Sequence, residues 1–334
     1  MKRWRTFSIP RRRLFAALGA LTVLAAVLSI CLGAVPVPPG DLLAVLTGRL
    51  RGTAEAQIVL YARLPRTCGC LLAGAALAVS GAVIQGVLNN PLAAPNIIGV
   101  NAGAGLMVAF CSAFLPAAVM PLAAFAGAMA GVFLVLLIAE RTGAAKITLV
   151  LAGVAVSNIF SAGIDAVVTL VPDALNGYSD FRIGGLANLS MSRVAPAFWV
   201  ILAALLLVLA LSGELDILLL GTETARSLGL PAKPLRMVLL ALAAALAGGA
   251  VSFCGLLGFV GLIVPHIMRR FAGEESLPLL LACGLGGAAL LTGCDLLARV
   301  LFAPYELPVG IVLSLGGGPF FIWLLLRQRG GRTP

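Results

Sequence analysis

The side chains able to move a proton, hold a metal or bind a phosphate are few here, and their spacing limits the chemistry open to the chain. The single histidine, His266, follows Pro265 and has no partner at H-E-x-x-H spacing, and no G-x-S-x-G run occurs. No G-x-x-x-x-G-K-[ST] phosphate loop is present, and the only lysines are Lys2, Lys146 and Lys233. Seven cysteines (Cys31, Cys68, Cys70, Cys111, Cys254, Cys283, Cys294) include no C-x-x-C pair, so neither a metal site nor a disulfide framework follows. They read as small polarizable core residues. Asp165 stands late in one apolar run, and Asp295 with Arg299 near the end of another. An ion-coupled carrier needs carboxylates at mid-depth, whereas groups near a helix end reach water by snorkelling. Asp165 therefore has either a transport role or a helix-end role. With no evident ion couple and no nucleotide site, uphill transport by this chain would draw its energy from another one.

The elements that position these residues follow from composition. Of 334 residues, 61% are hydrophobic and 11% charged, with mean hydropathy +1.09. Soluble domains carry about 25% charged residues, so a soluble enzyme, a nucleic-acid-binding module and a disordered chain are excluded. From Thr67 to Ala139 no Asp, Glu, Lys, Arg or His occurs, a length sufficient for about three membrane crossings. Apolar runs bounded by charge or by Pro/Gly/Asn turns predict helices over 14–34, 64–87, 97–113, 119–139, 147–170, 194–213, 235–252, 277–298 and 307–326. The first run is better read as an uncleaved helix than as a signal peptide. Gly316-Gly317-Gly318-Pro319 predicts a kink or local unwinding of the last span.

Segment 255–265 would reach only about 16 Å as a helix, half of a roughly 30 Å hydrocarbon core. Charge decides whether it crosses. Counted as a short tenth span, it leaves sixteen basic residues on the inner side and seven on the outer; without it the two sides are nearly equal. The Lys/Arg bias selects ten spans with both termini cytoplasmic. The expected organisation is one transmembrane domain over 1–334, with a basic N-terminus (1–13), a cytoplasmic loop (214–236) and a tail (327–334). The net charge of +10 then belongs to membrane topology and not to nucleic acid.

Within 214–236, Glu223, Ala225 and Gly229 fit an E-A-A-x-x-x-G spacing, with Thr224 in place of the first Ala. A short helix stopped by glycine makes a compact knob able to pass on rigid-body movement. Three longer stretches accompany it. The first is Arg63-Leu-Pro-Arg66 followed by Gly74-Ala-Ala-Leu-Ala-Val-Ser80-Gly81, Gln85 and Asn90-Pro91-Leu92-Ala93. The second is Gly258-Phe-Val-Gly261-Leu-Ile-Val-Pro265-His266-Ile-Met-Arg269. The third is Glu306-Leu-Pro308-Val-Gly310, then Gly318-Pro319-Phe320-Phe-Ile-Trp323. In order and spacing the chain resembles the FecCD family, the permeases for ferric siderophores, haem and cobalamin.

That resemblance implies an all-α type II ABC-importer permease in a bacterial cell membrane, without a catalytic site or bound cofactor of its own. It also implies a homodimer, two cytoplasmic ATPases that use ATP and Mg, an extracytoplasmic solute-binding protein and a metal-chelate substrate. Glu223, Ala225, Arg226 and Gly229, with Pro265, His266 and Arg269, would couple to the ATPase. Arg63, Arg66 and Arg299 would dock acidic residues of the binding protein, consistent with their outer placement against the general inward bias. Asn89, Asn90, Pro91 and Leu92 would form an inner gate. A ferric siderophore is the expected cargo, with haem or cobalamin as alternatives. Two rivals of other classes, a secondary transporter and an intramembrane enzyme, lack the carboxylates or the nucleophile–base set they require.

Overall fold

Without water at membrane depth, each apolar run must satisfy its peptide groups internally, and helices do this. The computed structural model describes residues 10–33, 35, 37–46, 53–142, 146–303 and 305–329, so most of the expected basic N-terminus and part of the tail lie outside the described residues. Among the described residues there are fifteen α-helices: α1 (Arg11–Cys31), α2 (Pro39–Leu46), α3 (Ala54–Gln57), α4 (Leu64–Leu88), α5 (Val100–Phe114), α6 (Met120–Arg141), α7 (Lys146–Leu170), α8 (Ala174–Ile183), α9 (Met191–Ala210), α10 (Ser212–Leu219), α11 (Thr222–Ser227), α12 (Ala232–Cys254), α13 (Val260–Ala272), α14 (Ser276–Val300) and α15 (Val309–Arg329). Seven of them, α1, α4, α6, α7, α9, α12 and α14, are long and apolar enough to cross a membrane. Helices α5 and α15 contribute shorter apolar stretches.

Helix α4 is the axis of the bundle. Nearly its whole length is buried, and it packs on α14, α12, α13 and α9. Small residues permit this where lipid supplies no hydrophobic drive between helices. Gly74 and Gly287 bring α4 and α14 into backbone contact, and a Cβ on either would overlap the carbonyl oxygen of the other.

Two sequence expectations are corrected. Segment 255–265 is not one short helix: 255–259 is irregular, and α13 begins at Val260 and runs on to Ala272. Gly255 (φ +71°) and Phe259 (φ +66°) hold left-handed backbone there. The irregular stretch is tolerated because α8 and the turn after it meet its polar groups. Leu256 N–H donates to the Phe181 carbonyl at 2.9 Å, and the Cys254 carbonyl accepts from Gly185 N–H at 2.9 Å. Helix α8 was invisible in the apolar pattern because it is short and mixed in composition. Of the kink or local unwinding expected at Gly316–Pro319, the unwinding is absent, since α15 is helical throughout with Pro319 inside it. Gly317 there lacks a side chain where the Phe259 ring packs.

The helices give the bundle two distinct polar ends. At one, Arg11 pairs with Glu275 at 2.6 Å, and Asp216 of α10 caps α14 by accepting from Ser276 N–H at 2.8 Å. At the other, the C-termini of α1 and α14 meet the N-terminus of α4, some 35 Å away along α4 at 1.5 Å per residue.

Candidate functional site

Arg63 and Arg66, neighbours in sequence, are brought together with the distant Arg299 where α1, α4 and α14 meet. Arg63 lies in a π-helical turn (Ile58–Arg63) leading into α4. Its guanidinium donates to the carbonyls of Ile30 (2.8 Å), Cys31 (3.0 Å) and Val35, capping the end of α1. Among the described residues no carboxylate pairs with it.

Arg66 and Arg299 instead share Asp295, which is fully buried (0% exposed). Arg66 Nε donates to both Asp295 oxygens at 3.0 Å, and Arg299 Nε lies 3.1 Å from Oδ2, one helical turn along α14. Arg299 also donates to the Ser29 hydroxyl (2.7 Å) and carbonyl (3.1 Å), and Ser29 Oγ is 2.8 Å from Thr67 Oγ1. Arg66 Nη1 reaches Glu306 Oε2 at 2.6 Å. A buried ion pair survives only with such additional hydrogen bonds on its remaining donors. The cluster borders a cleft of about 640 Å³, lined by the three arginines, Glu306, Tyr61 and Asn188 among others. Three cations against two carboxylates leave one positive charge in excess there.

The opposite end carries the knob. Helix α11 places Glu223 and Arg226 at the surface and buries Ala225 beneath them. Its C-terminus is a Schellman motif: Leu230 N–H donates to the Ala225 carbonyl (2.9 Å) and Gly229 N–H to that of Arg226 (2.9 Å). Gly229 supplies the required left-handed residue, with φ +79°.

Asn89 ends α4 by the same device, with φ +51° and bonds from Asn89 N–H to the Gly86 carbonyl and Asn90 N–H to that of Gln85, both 3.0 Å. Asn90 Oδ1 then accepts from Leu92 N–H at 3.0 Å. Leu92 lines a cavity of about 350 Å³ with Asn96, Asn101, Phe259 and Phe321.

Pro265 and His266 are buried within the subunit, His266 edge-on to Phe320 with ring centroids 6.2 Å apart. The structure explains how α13 keeps a proline in its interior. Pro265 cannot donate to the Gly261 carbonyl, and Gln85 Nε2 of α4 donates to it at 3.1 Å. Gln85 Oε1 accepts from Arg269 Nη1 at 2.5 Å, so one amide ties both turns of the half-helix to α4. Gln85→Leu removes both bonds in a buried setting and is expected to cost about 2 kcal/mol. Thermal unfolding of the purified permease in nanodiscs checks this; an unchanged midpoint would refute the bracing role.

Sequence reasoning singled out the three arginines that the structure groups, but missed Glu306 and the bracing role of Gln85. For Asp295 the available signal was its i, i+4 spacing to Arg299; for Glu306 and Gln85 no local signal existed. On α7, Asn158, Ser161, Asp165 and Thr169 all stand exposed along the helix.

Comparison with known proteins gives the family and the fold. A family model described as the FecCD transport family matches residues 21–327. The Fe(3+) dicitrate transport system permease protein FecD of Escherichia coli K12 is 39% identical over 307 residues, covering 91% of this chain and 95% of that protein. The hemin transport system permease protein HmuU of Yersinia pestis is 39% identical, covering 83% and 85%. The vitamin B12 import system permease protein BtuC of Klebsiella pneumoniae is 36% identical, covering 96% and 95%. A solved metal-chelate type ABC transporter in an inward-facing conformation superposes with a TM-score of 0.83 at 28% identity, over 95% of this chain and 99% of that one. With its helical bundle, its arginine-lined cleft at one end and its glycine-capped knob at the other, this chain belongs to the FecCD transport family and is a permease subunit of an ABC importer.

Proposed function

We propose that the chain imports an iron–siderophore complex as one half of a homodimer, served by two cytoplasmic ATPases and an extracytoplasmic solute-binding protein. It crosses a bacterial cell membrane ten times as a single domain, with α5, α13 and α15 added to the seven long helices and both termini cytoplasmic. Hydrolysis of ATP with Mg belongs to the ATPase partners, and this chain contributes no catalytic group.

The observation that carries the reading is the pairing of opposite ends: a cationic cleft suited to acidic side chains, and about 35 Å along α4 a rigid surface knob. The cleft docks the binding protein, while Glu223 and Arg226 on α11 touch the ATPase, seated on Ala225 and stopped by Gly229. Pro265 and Arg269 act from inside, by the bonds through which Gln85 holds α13 to α4, and His266 by packing on Phe320 of α15. The Asn89–Leu92 turn, beside the 350 Å³ cavity, forms the inner gate. Asn158 lies near the middle of α7, where hydrocarbon would leave its amide unsatisfied. The face bearing Asn158, Ser161, Asp165 and Thr169 therefore meets the second copy and the pathway between them.

Iron as cargo is supported by the ferric citrate and hemin permeases among the relatives. Proteoliposomes holding the permease with the ATPase encoded beside it, supplied with the neighbouring binding protein, test this. ATP-dependent accumulation of a ferric hydroxamate or ferric citrate is expected. Uptake of cobalamin or hemin alone, under the same conditions, would overturn the siderophore assignment, and uptake without ATP would overturn the ABC mechanism.

A further inference from the structure

We propose that Glu306 is an internal stand-in for the partner's carboxylate, holding Arg66 until an acidic side chain of the binding protein displaces it. This rests on the docking reading of the arginine cleft.

The two carboxylates on Arg66 differ in kind. Asp295 is fully buried on α14 and shared by two arginines, so it cannot leave without stranding both. Glu306 lies between α14 and α15, outside any helix. Its side chain is 40% exposed, and its one ion pair among the described residues is the contact from Oε2 to Arg66 Nη1. Rotating it into water disturbs no other ion pair among the described residues, and Arg66, whose Nη1 donor it frees, lines the cleft.

Charge supports the exchange. Arg66 and Arg299 are balanced by Asp295 and Glu306, and Arg63, held by backbone carbonyls, is the excess cation. With Glu306 turned outward, the cleft presents two uncompensated positive charges instead of one, a match for a partner surface bearing a pair of acidic side chains. While Glu306 is bound to Arg66 the cleft is less attractive, so docking affinity is lowered by the fraction of time the internal contact is made. The arrangement keeps docking reversible and selects against weakly acidic surfaces.

The test measures binding of the solute-binding protein encoded beside this chain to the assembled transporter in nanodiscs. Glu306→Gln is expected to tighten binding about fivefold, the value of one partly exposed charged contact. Glu55→Gln, a surface charge on α3 just before Arg63, gauges the effect of removing any one negative charge from this region and is expected to change binding less than about twofold. Arg66→Lys keeps the charge on Asp295 but lacks the second arm that reaches Glu306, so Glu306→Gln added to it should gain nothing beyond that control. Arg63→Gln, which leaves the Asp295 network intact, tests docking itself and should weaken binding about fivefold. If Arg63→Gln weakens binding but Glu306→Gln does not tighten it, or tightens it equally in the Arg66→Lys background, the stand-in role is refuted and docking survives. If Arg63→Gln and Arg66→Lys both leave affinity unchanged, the docking reading fails and this inference with it.

Discussion

Asp295→Ala is expected to destabilise the permease by about 3–5 kcal/mol, because it leaves Arg66 and Arg299 facing each other in a buried site without their common counter-charge. The carboxylate itself need not add net stability over an apolar core; the damage comes from stranding its partners. Asp295→Asn preserves shape and some hydrogen bonding, and is expected to lose less. For a chain of this size the alanine variant should unfold on the order of 10 °C below the parent, followed by fluorescence-detected size-exclusion after heating in nanodiscs. A triple variant, Asp295→Leu with Arg66→Met and Arg299→Met, should recover most of the loss while abolishing docking, since it removes the stranded charges along with the carboxylate. An alanine variant as stable as the parent would refute the buried network.

Gly229→Leu is expected to leave the protein inserted and folded but to sever ATP hydrolysis from transport. No atom lies within 4 Å of the position its Cβ would take, so nothing clashes. The penalty is in the backbone: φ +79° costs a β-carbon-bearing residue about 1–2 kcal/mol, enough to fray the bonds from Leu230 to Ala225 and from Gly229 to Arg226 that close α11. A strain of that size shifts a two-state element roughly tenfold, so transport should fall about tenfold while the partner ATPase keeps turning over. Gly229→Asn is the informative companion. Asparagine already holds the same conformation at Asn89, φ +51°, in the same capping motif, and it should restore most of the coupling. Normal transport by the leucine variant, or an asparagine variant as impaired as leucine, would remove α11 from the coupling path.

The differences between sequence and structure have identifiable physical origins. Apolar runs located the long helices to within a few residues, as with α7 at Lys146–Leu170 against the expected 147–170. The spacing of Glu223, Ala225 and Gly229 marked a glycine-stopped knob, and Asn89-Asn90-Pro91 marked a helix end. Each of these is a local property, set by hydropathy summed over a helix or by the backbone preferences of one or two residues. The arginines were legible as a group only through their motif; that Arg63 caps α1 while Arg66 and Arg299 close on Asp295 was not legible.

What the chain's sequence alone determined is that it carries helices long and apolar enough to cross a bilayer, and roughly where those helices stop, because water's absence forces every apolar run to satisfy its own peptide groups. The tertiary structure alone decided which polar groups meet inside. Asp295 finds Arg66 across 229 positions, Gln85 finds the carbonyl that Pro265 leaves free across 176, and α8 finds the irregular backbone at 255–259. Those partners are chosen by how helices cross at close-packed glycines such as Gly74 and Gly287. A buried polar group must be satisfied, but nothing in its own neighbourhood of sequence says by whom.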